Sequence, residues 1–129
     1  MRIEIQRRFS DLDPLGHVNN VAFHDYLQEA RMGLIGDLDA VVNDDFAQIV
    51  VSQEIRHVRP LGYSREPVVI EATVTDIART SYSIVYRVLD ENGDIAAEAT
   101  TRLAVVDPVS GRPIRMPESL RERLAAAGE

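Results

Sequence analysis

The chain has 129 residues, 45% apolar and 27% charged. That is the composition of one globular domain, and it excludes a wholly disordered chain, a collagen-like chain and a coiled-coil rod. The net charge of −7 and isoelectric point near 4.9 argue against a global pull toward nucleic acid or an anionic membrane surface. Cysteine is absent and all 14 basic residues are arginine. Disulfides, thiolate metal sites, a cysteine nucleophile, lysine Schiff bases and a P-loop lysine are therefore excluded, and anion binding falls to Arg, His, backbone N–H groups and helix N-termini.

Met1-Arg2-Ile3-Glu4-Ile5 lacks the apolar run of a signal peptide, and no stretch approaches the length of a membrane span. The expected compartment is the cytoplasm. Ile3, Ile5 and Phe9 keep a period of two and predict a first strand. Ser10-Asp11-Leu12-Asp13-Pro14-Leu15-Gly16 reads as a loop, because Pro and Gly stand among Asp residues. From Asn19 to Ile35 the spacing is helical, with Phe23, Leu27, Ala30 and Leu34 at steps of three and four. Asn19 or Asn20 can cap its start and Gly36 suits its end. Asp37, Asp39, Asp44 and Asp45 then form an acidic connection, expected to be a solvated loop.

Four strand-like runs follow. Phe46–Val58 is rich in Val and Ile; Val68, Ile70, Ala72 and Val74 alternate with polar partners; so do Tyr82, Ile84, Tyr86 and Val88. Ile95, Ala97, Ala99, Leu103 and Val105 share one parity of the last run. Asn92-Gly93 is a hairpin signal joining the third and fourth runs. Pro117 can open a C-terminal helix through Leu120 and Leu124, with Ala125–Glu129 expected to fray. Strand, helix, then four strands is an α+β order, with one long helix against an antiparallel sheet. Ile49-Val50-Val51 is apolar on both parities. That run is expected either inside the sheet or paired with another subunit, and a homodimer joining two sheets is predicted.

The densest functional signal is Arg8-Phe9-Ser10-Asp11-Leu12-Asp13-Pro14-Leu15-Gly16-His17-Val18-Asn19-Asn20. Two carboxylates, an imidazole and two carboxamides stand in one loop feeding a helix N-terminus. Such a terminus offers unpaired N–H groups and the positive end of a dipole, which suit a developing oxyanion. A carboxylate upstream can activate water or attack directly. The same residue types also favour plain caps and turns.

Asp11-Leu12-Asp13-Pro14-Leu15-Gly16-His17-Val18-Asn19-Asn20, continued by Phe23, Tyr26 and Glu29-Ala30-Arg31, resembles the 4-hydroxybenzoyl-CoA thioesterase-like family of hotdog-fold acyl-CoA thioesterases. His57-Val58-Arg59-Pro60-Leu61 and Arg112-Pro113-Ile114-Arg115-Met116-Pro117 resemble later segments of that family. The resemblance covers essentially the whole chain. It implies a single hotdog domain over 1–129, a five-stranded antiparallel sheet around one long central helix, with about 118–129 as a C-terminal helical extension. It implies a homodimer with active sites at the interface, stacking into a homotetramer being left open. It also implies hydrolysis of an acyl-CoA with no cofactor other than the coenzyme A of the substrate; no metal is expected, because His17 and His24 are seven apart, His57 is remote and Cys is absent, and the acidic charge predicts no nucleic-acid or membrane partner.

The resemblance places the catalytic carboxylate on Asp13, as general base or nucleophile, and the oxyanion donor on the backbone N–H of Asn20. Gly16 would let the backbone approach the thioester. His17 could orient the substrate or polarise its carbonyl, with a loop histidine as the plainer reading. Asn19, Arg59, Arg65 and Arg79 are candidates for coenzyme A contacts, Asn19 also for the cap. Asp11 and Arg31 read as structural, and Glu29 as a rival catalytic acid. Phe23 stands where the family usually has Tyr, and Arg65-Glu66-Pro67 replaces a Gly-Asp pair. The rival functions are a hotdog acyl-thioester dehydratase or hydratase, and a non-catalytic acyl-thioester-binding protein.

Overall fold

The computed structural model describes residues 1–36 and 42–128. Strands β1 (Arg2–Ile5), β2 (Ala47–His57), β3 (Val68–Thr75), β4 (Ser81–Leu89) and β5 (Ile95–Val106) form one sheet in the order β1-β3-β4-β5-β2, with every neighbour antiparallel. Helix α1 (Asn20–Ile35) is the long helix between β1 and β2, and α2 (Glu118–Ala127) closes the chain. This is the hotdog fold the resemblance implies.

The alternations expected in β3 and β4 hold. Val68, Ile70, Ala72, Val74, Tyr82, Ile84, Tyr86 and Val88 are all buried, and with Phe23, Leu27, Ala30 and Leu34 of α1 they form one core. Leu27 has no solvent exposure; truncation to Ala at such a site costs about 2–5 kcal/mol. Asn19 is the cap of α1, its Oδ1 accepting the Ala22 N–H at 2.8 Å. Gly33 lets α1 approach β1, since a Cβ there would lie 3.3 Å from Ile3.

Two expectations are corrected, and a pair of alternatives is narrowed to pairing with another subunit. β1 ends at Ile5, and Phe9 lies in a 3-10 turn over Phe9–Asp11, 78% exposed. Helix α2 runs through Ala127 instead of fraying from Ala125, its Leu120 and Leu124 buried. β2 is not an interior strand: it is the sheet edge beyond β5, and Ile49, Val50 and Val51 are 46%, 47% and 60% exposed. A register shift between Val50 and Ser52 leaves Val51 outside the ladder. Of the acidic connection, Asp44 and Asp45 are exposed, while Asp37 and Asp39 lie outside the described residues.

The outer face of the sheet carries a row of alternating charge. Arg2 pairs with Glu71, Glu71 with Arg87, Arg87 with Glu98 and Glu98 with Arg56 in register, one residue from each strand. Arg87 and Arg56 reach Glu71 and Glu98 at 2.6 and 2.7 Å. Exposed pairs of this kind contribute at most about 1 kcal/mol each, so the row keeps that face wet more than it stabilises the sheet.

Candidate active site

The 10–20 loop is held in place from both ends. Asp11 is buried, and its Oδ2 accepts the Tyr26 hydroxyl at 2.6 Å and the Arg8 N–H at 2.9 Å, while its Oδ1 takes the Arg8 guanidinium. Burial alone would raise the Asp11 carboxyl, but the Tyr26 and Arg8 hydrogen bonds outweigh it and hold the group below its ordinary range. The reciprocal effect on Tyr26, burial first and then the carboxylate partner, pushes its hydroxyl well up, so it stays a donor. Asp11 is thus the anchor that ties the loop to α1, as the structural reading expects.

Asp13 is half-buried, and its carboxylate bonds backbone amides only. Its Oδ1 accepts the Leu15 N–H at 2.9 Å and the His17 N–H at 3.2 Å. Its own N–H donates to the His17 carbonyl at 2.8 Å, and Gly16 N–H returns to the Asp13 carbonyl at 3.0 Å. The turn needs Gly16 because its φ is +80°, and a Cβ there would meet nothing within 4 Å. One carboxylate oxygen is thereby fixed by two amides and Oδ2 is uncommitted among the described residues.

The loop feeds directly into α1. Asn19 N–H donates to the Asp11 carbonyl and Asn19 Oδ1 is spent on Ala22 N–H. The N–H groups of Asn20 and Val21, in the first turn, have no acceptor among the described residues. The second wall is the 57–62 segment. Val18 N–H donates to the Leu61 carbonyl at 2.7 Å, and His17 pairs with Gly62. The half-buried His17 imidazole makes no hydrogen bond to a described residue.

The structure brings Asp13, Gly16, His17, Asn19 and Asn20 together, with Arg59 on the adjoining 57–62 wall; Arg65 lies beyond that wall, its carbonyl accepting Gln6 Nε2 at 3.1 Å. Arg59 reaches the exposed Asp94 at 3.3 Å, and the Arg65 guanidinium is exposed. Arg79 is not with them: it lies in the β3–β4 turn at the other end of the sheet. Glu29 is in a cleft with Ile5, Gln6, Arg8, Asp25, Tyr26 and Gln28, about 14 Å along α1 from its start. Arg31 is structural, its Nη1 donating to Gln53 Oε1 at 2.8 Å; Gln53 Oε1 also accepts the Thr101 hydroxyl. Phe23 is buried, edge-on to the His57 ring at 4.8 Å.

Sequence reading missed Arg7. It is 2% exposed, and its guanidinium donates to the carbonyls of Gly62 and Glu66 and to Glu91. It clamps the 62–66 segment, and with it the second wall of the site, onto the end of β1. The available signal was parity: Arg7 continues the inward set of Ile3 and Ile5, where an apolar residue would be expected.

Among known proteins, the family model of the thioesterase-like superfamily matches residues 7–124. A thioesterase from Thermus thermophilus, solved with coenzyme A and Zn, is 33% identical with a TM-score of 0.80, over 98% of this chain and 93% of that one. The probable thioesterase YbaW from Escherichia coli is 23% identical with a TM-score of 0.85, over 100% and 99%. A 1,4-dihydroxy-2-naphthoyl-CoA thioesterase from Synechocystis is 18% identical with a TM-score of 0.87, over 96% and 94%. None of the curated protein sequences matches. Among the described residues no three His, Asp or Glu converge into a cluster that could hold a metal ion, and no helix is long and apolar enough to cross a membrane.

Proposed function

The chain belongs to the thioesterase-like superfamily and is a thioester hydrolase; from that premise we propose that it hydrolyses an acyl-CoA in the cytoplasm, with Asp13 as the reacting carboxylate. The observation that carries this reading is the asymmetry of Asp13. Two loop amides hold Oδ1, and Oδ2 is left free on the loop that leads to the unpaired N–H groups of Asn20 and Val21. The coenzyme A bound by the 33%-identical Thermus thioesterase supports the choice of carrier.

Two routes use the same oxygen. In one, Oδ2 takes a proton from water as the water oxygen attacks the thioester carbonyl carbon. The carbonyl oxygen gathers negative charge beside the Asn20 and Val21 N–H groups, the C–S bond breaks, and the proton passes to the departing thiolate. In the other, Oδ2 attacks the carbon itself, the thiolate leaves, and water hydrolyses the resulting anhydride. Gly16, Asn19 and His17 line the approach, and Arg59 stands at its mouth for coenzyme A, with Arg65 farther out. The edge strand β2, with Ile49, Val50 and Val51 exposed, pairs with a second copy to make a homodimer; stacking of dimers into a tetramer would then involve other faces.

The dehydratase rival needs a paired acid and base. Here Asp13 meets the backbone N–H of His17 and not its imidazole, so the two side chains form no such pair. The test is release of free thiol from short, medium, long and aromatic acyl-CoA substrates. Turnover of at least one class is expected, and single turnover in ¹⁸O-water, read by the label on Asp13, separates the two routes. Tight binding of every class without thiol release would overturn the proposal in favour of a binding protein.

A further inference from the structure

The bonds that make Arg31 structural use only part of its guanidinium. Nη1 donates to Gln53 Oε1 at 2.8 Å and lies 3.4 Å from the hydroxyls of Tyr86 and Thr101, all neutral acceptors. Gln53 is spent at both ends: Oε1 also accepts the Thr101 hydroxyl, and Nε2 meets Nδ1 of His24. Arginine can only donate, so it fixes which end of the amide is oxygen; Gln53 Nε2 then donates, and a His24 that accepts at Nδ1 is neutral with its proton on Nε2. This network brings no negative charge to Arg31. No ion pair among the described residues includes it. The acidic residues of α1, Asp25 and Glu29, line the cleft beside Ile5 and Arg8, and Glu54 alternates onto the outer face of the sheet with Thr100. Nε and Nη2 have no partner among the described residues, and neither is sealed from solvent. Arg31 is therefore a half-buried cation with one open edge and no counter-ion. A charge so placed favours an anionic ligand.

That edge lies along the same helix as the reacting end. His24 and Arg31 both reach Gln53, so both stand on the β2-facing side of α1, whose first turn carries the unpaired Asn20 and Val21 N–H groups. Arg31 follows Val21 by ten residues, about 15 Å along the axis. Helical side chains lean back toward the N-terminus, which shortens the gap. Between the two ends the seam of α1 and β2 presents Phe23 edge-on to His57 and the half-buried Ile55. We propose that this seam takes the acyl group and that Arg31 binds a carboxylate at its far end, so that the preferred substrates are ω-carboxyacyl-CoA thioesters of medium chain length. This rests on the acyl-CoA reading. A guanidinium holds a carboxylate by two parallel N–H bonds, and Nε with Nη2 is an edge of that shape. A terminal methyl in the same place would desolvate the cation and give it no partner.

The test compares thiol release from glutaryl-, adipyl-, suberyl- and sebacyl-CoA with that from the uncharged acyl-CoA of each chain length. At the best length, kcat/KM for the diacid thioester is expected to exceed that of its uncharged counterpart about 10- to 100-fold, the effect of one charge-assisted contact. Arg31→Gln should bring that ratio to about one, chiefly through KM, and Arg31→Lys, which keeps the charge and loses the fork, should restore part of it. A ratio near one in the parent would overturn the proposal without any variant being made. So would an equal loss on both series in Arg31→Gln, because an arginine that only supports the fold serves every substrate alike. Conversion of Arg31→Gln to monomer with the ratio unchanged would assign the open edge to a carboxylate of a second copy, against the proposal. Non-hydrolysable ω-carboxyalkyl-CoA and alkyl-CoA thioethers give the same comparison as a ratio of Kd values by calorimetry. Absence of turnover on every thioester would sink the acyl-CoA reading, while the thioether ratio in parent and Arg31→Gln would still decide what Arg31 binds.

Discussion

Asp13→Asn separates the charge of the carboxylate from its role in the turn. Asn keeps an Oδ1 that can accept the Leu15 and His17 N–H groups, so the turn over residues 13–17 stays intact. What is lost is the free anionic oxygen, replaced by an NH₂ that can neither take a proton nor attack. Removal of a general base or nucleophile lowers kcat by about 10²–10⁴-fold, about 2.7–5.4 kcal/mol at 1.36 kcal/mol per tenfold. Stability should move by less than about 0.5 kcal/mol. Asp13→Ala deletes both acceptors as well. Leu15 is exposed and its N–H can turn to water, so the added cost belongs near the lower end of about 1–3 kcal/mol for two hydrogen bonds. That corresponds to roughly 4 °C in Tm for a domain of this size. The assay is thiol release on the best acyl-CoA substrate, with sedimentation and thermal unfolding on the same samples. A kcat for Asp13→Asn within a factor of about three of the parent would refute the assignment and direct attention to Glu29. A large loss of Tm in Asp13→Asn would refute the claim that one oxygen serves the fold and the other the chemistry.

Three further outcomes are expected. Tyr26→Phe removes the hydroxyl that Asp11 Oδ2 accepts at 2.6 Å, leaving a buried carboxylate oxygen with the Arg8 N–H alone; urea unfolding should show a loss of about 1–3 kcal/mol. Asp11 has its folded pKa held below the unfolded value, so its contribution is present above about pH 4 and disappears as pH falls through the folded value; Asp11→Asn should lower stability at neutral pH and flatten the acid limb of the stability curve, and parallel curves for the two proteins would contradict this. Val50→Glu/Val51→Glu places charge on the exposed edge of β2 and should convert dimer to monomer in sedimentation at micromolar concentration, with kcat/KM falling alongside.

Short-range physics made much of this protein legible from its residues. Alternation places Val68–Val74 and Tyr82–Val88 on the core face, capping chemistry sets Asn19 at the head of α1, and Gly36 ends that helix with φ at +106°. These signals act over a few residues, so a linear reading contains them. The loop from Asp11 to Asn20 was legible as a unit for the same reason: turn, carboxylates and helix start are contiguous.

What only the tertiary structure decided depends on strand order and register, which no local pattern encodes. The sheet order puts β2 at an edge, although its apolar run equally suits an interior strand. Register aligns Arg2, Glu71, Arg87, Glu98 and Arg56 into one row from five distant segments. The two aspartates of the loop look alike in sequence; burial against Tyr26 makes Asp11 an anchor and leaves Asp13 with a free oxygen. Arg7 sits inside because the carbonyls of Gly62 and Glu66, 55 and 59 residues away, and the Glu91 carboxylate converge on its two Nη groups, its buried Nε alone having no partner among the described residues. Arg59 and Arg79 have the same chemistry, and the direction of β3 and β4 alone sends them to opposite ends of the molecule.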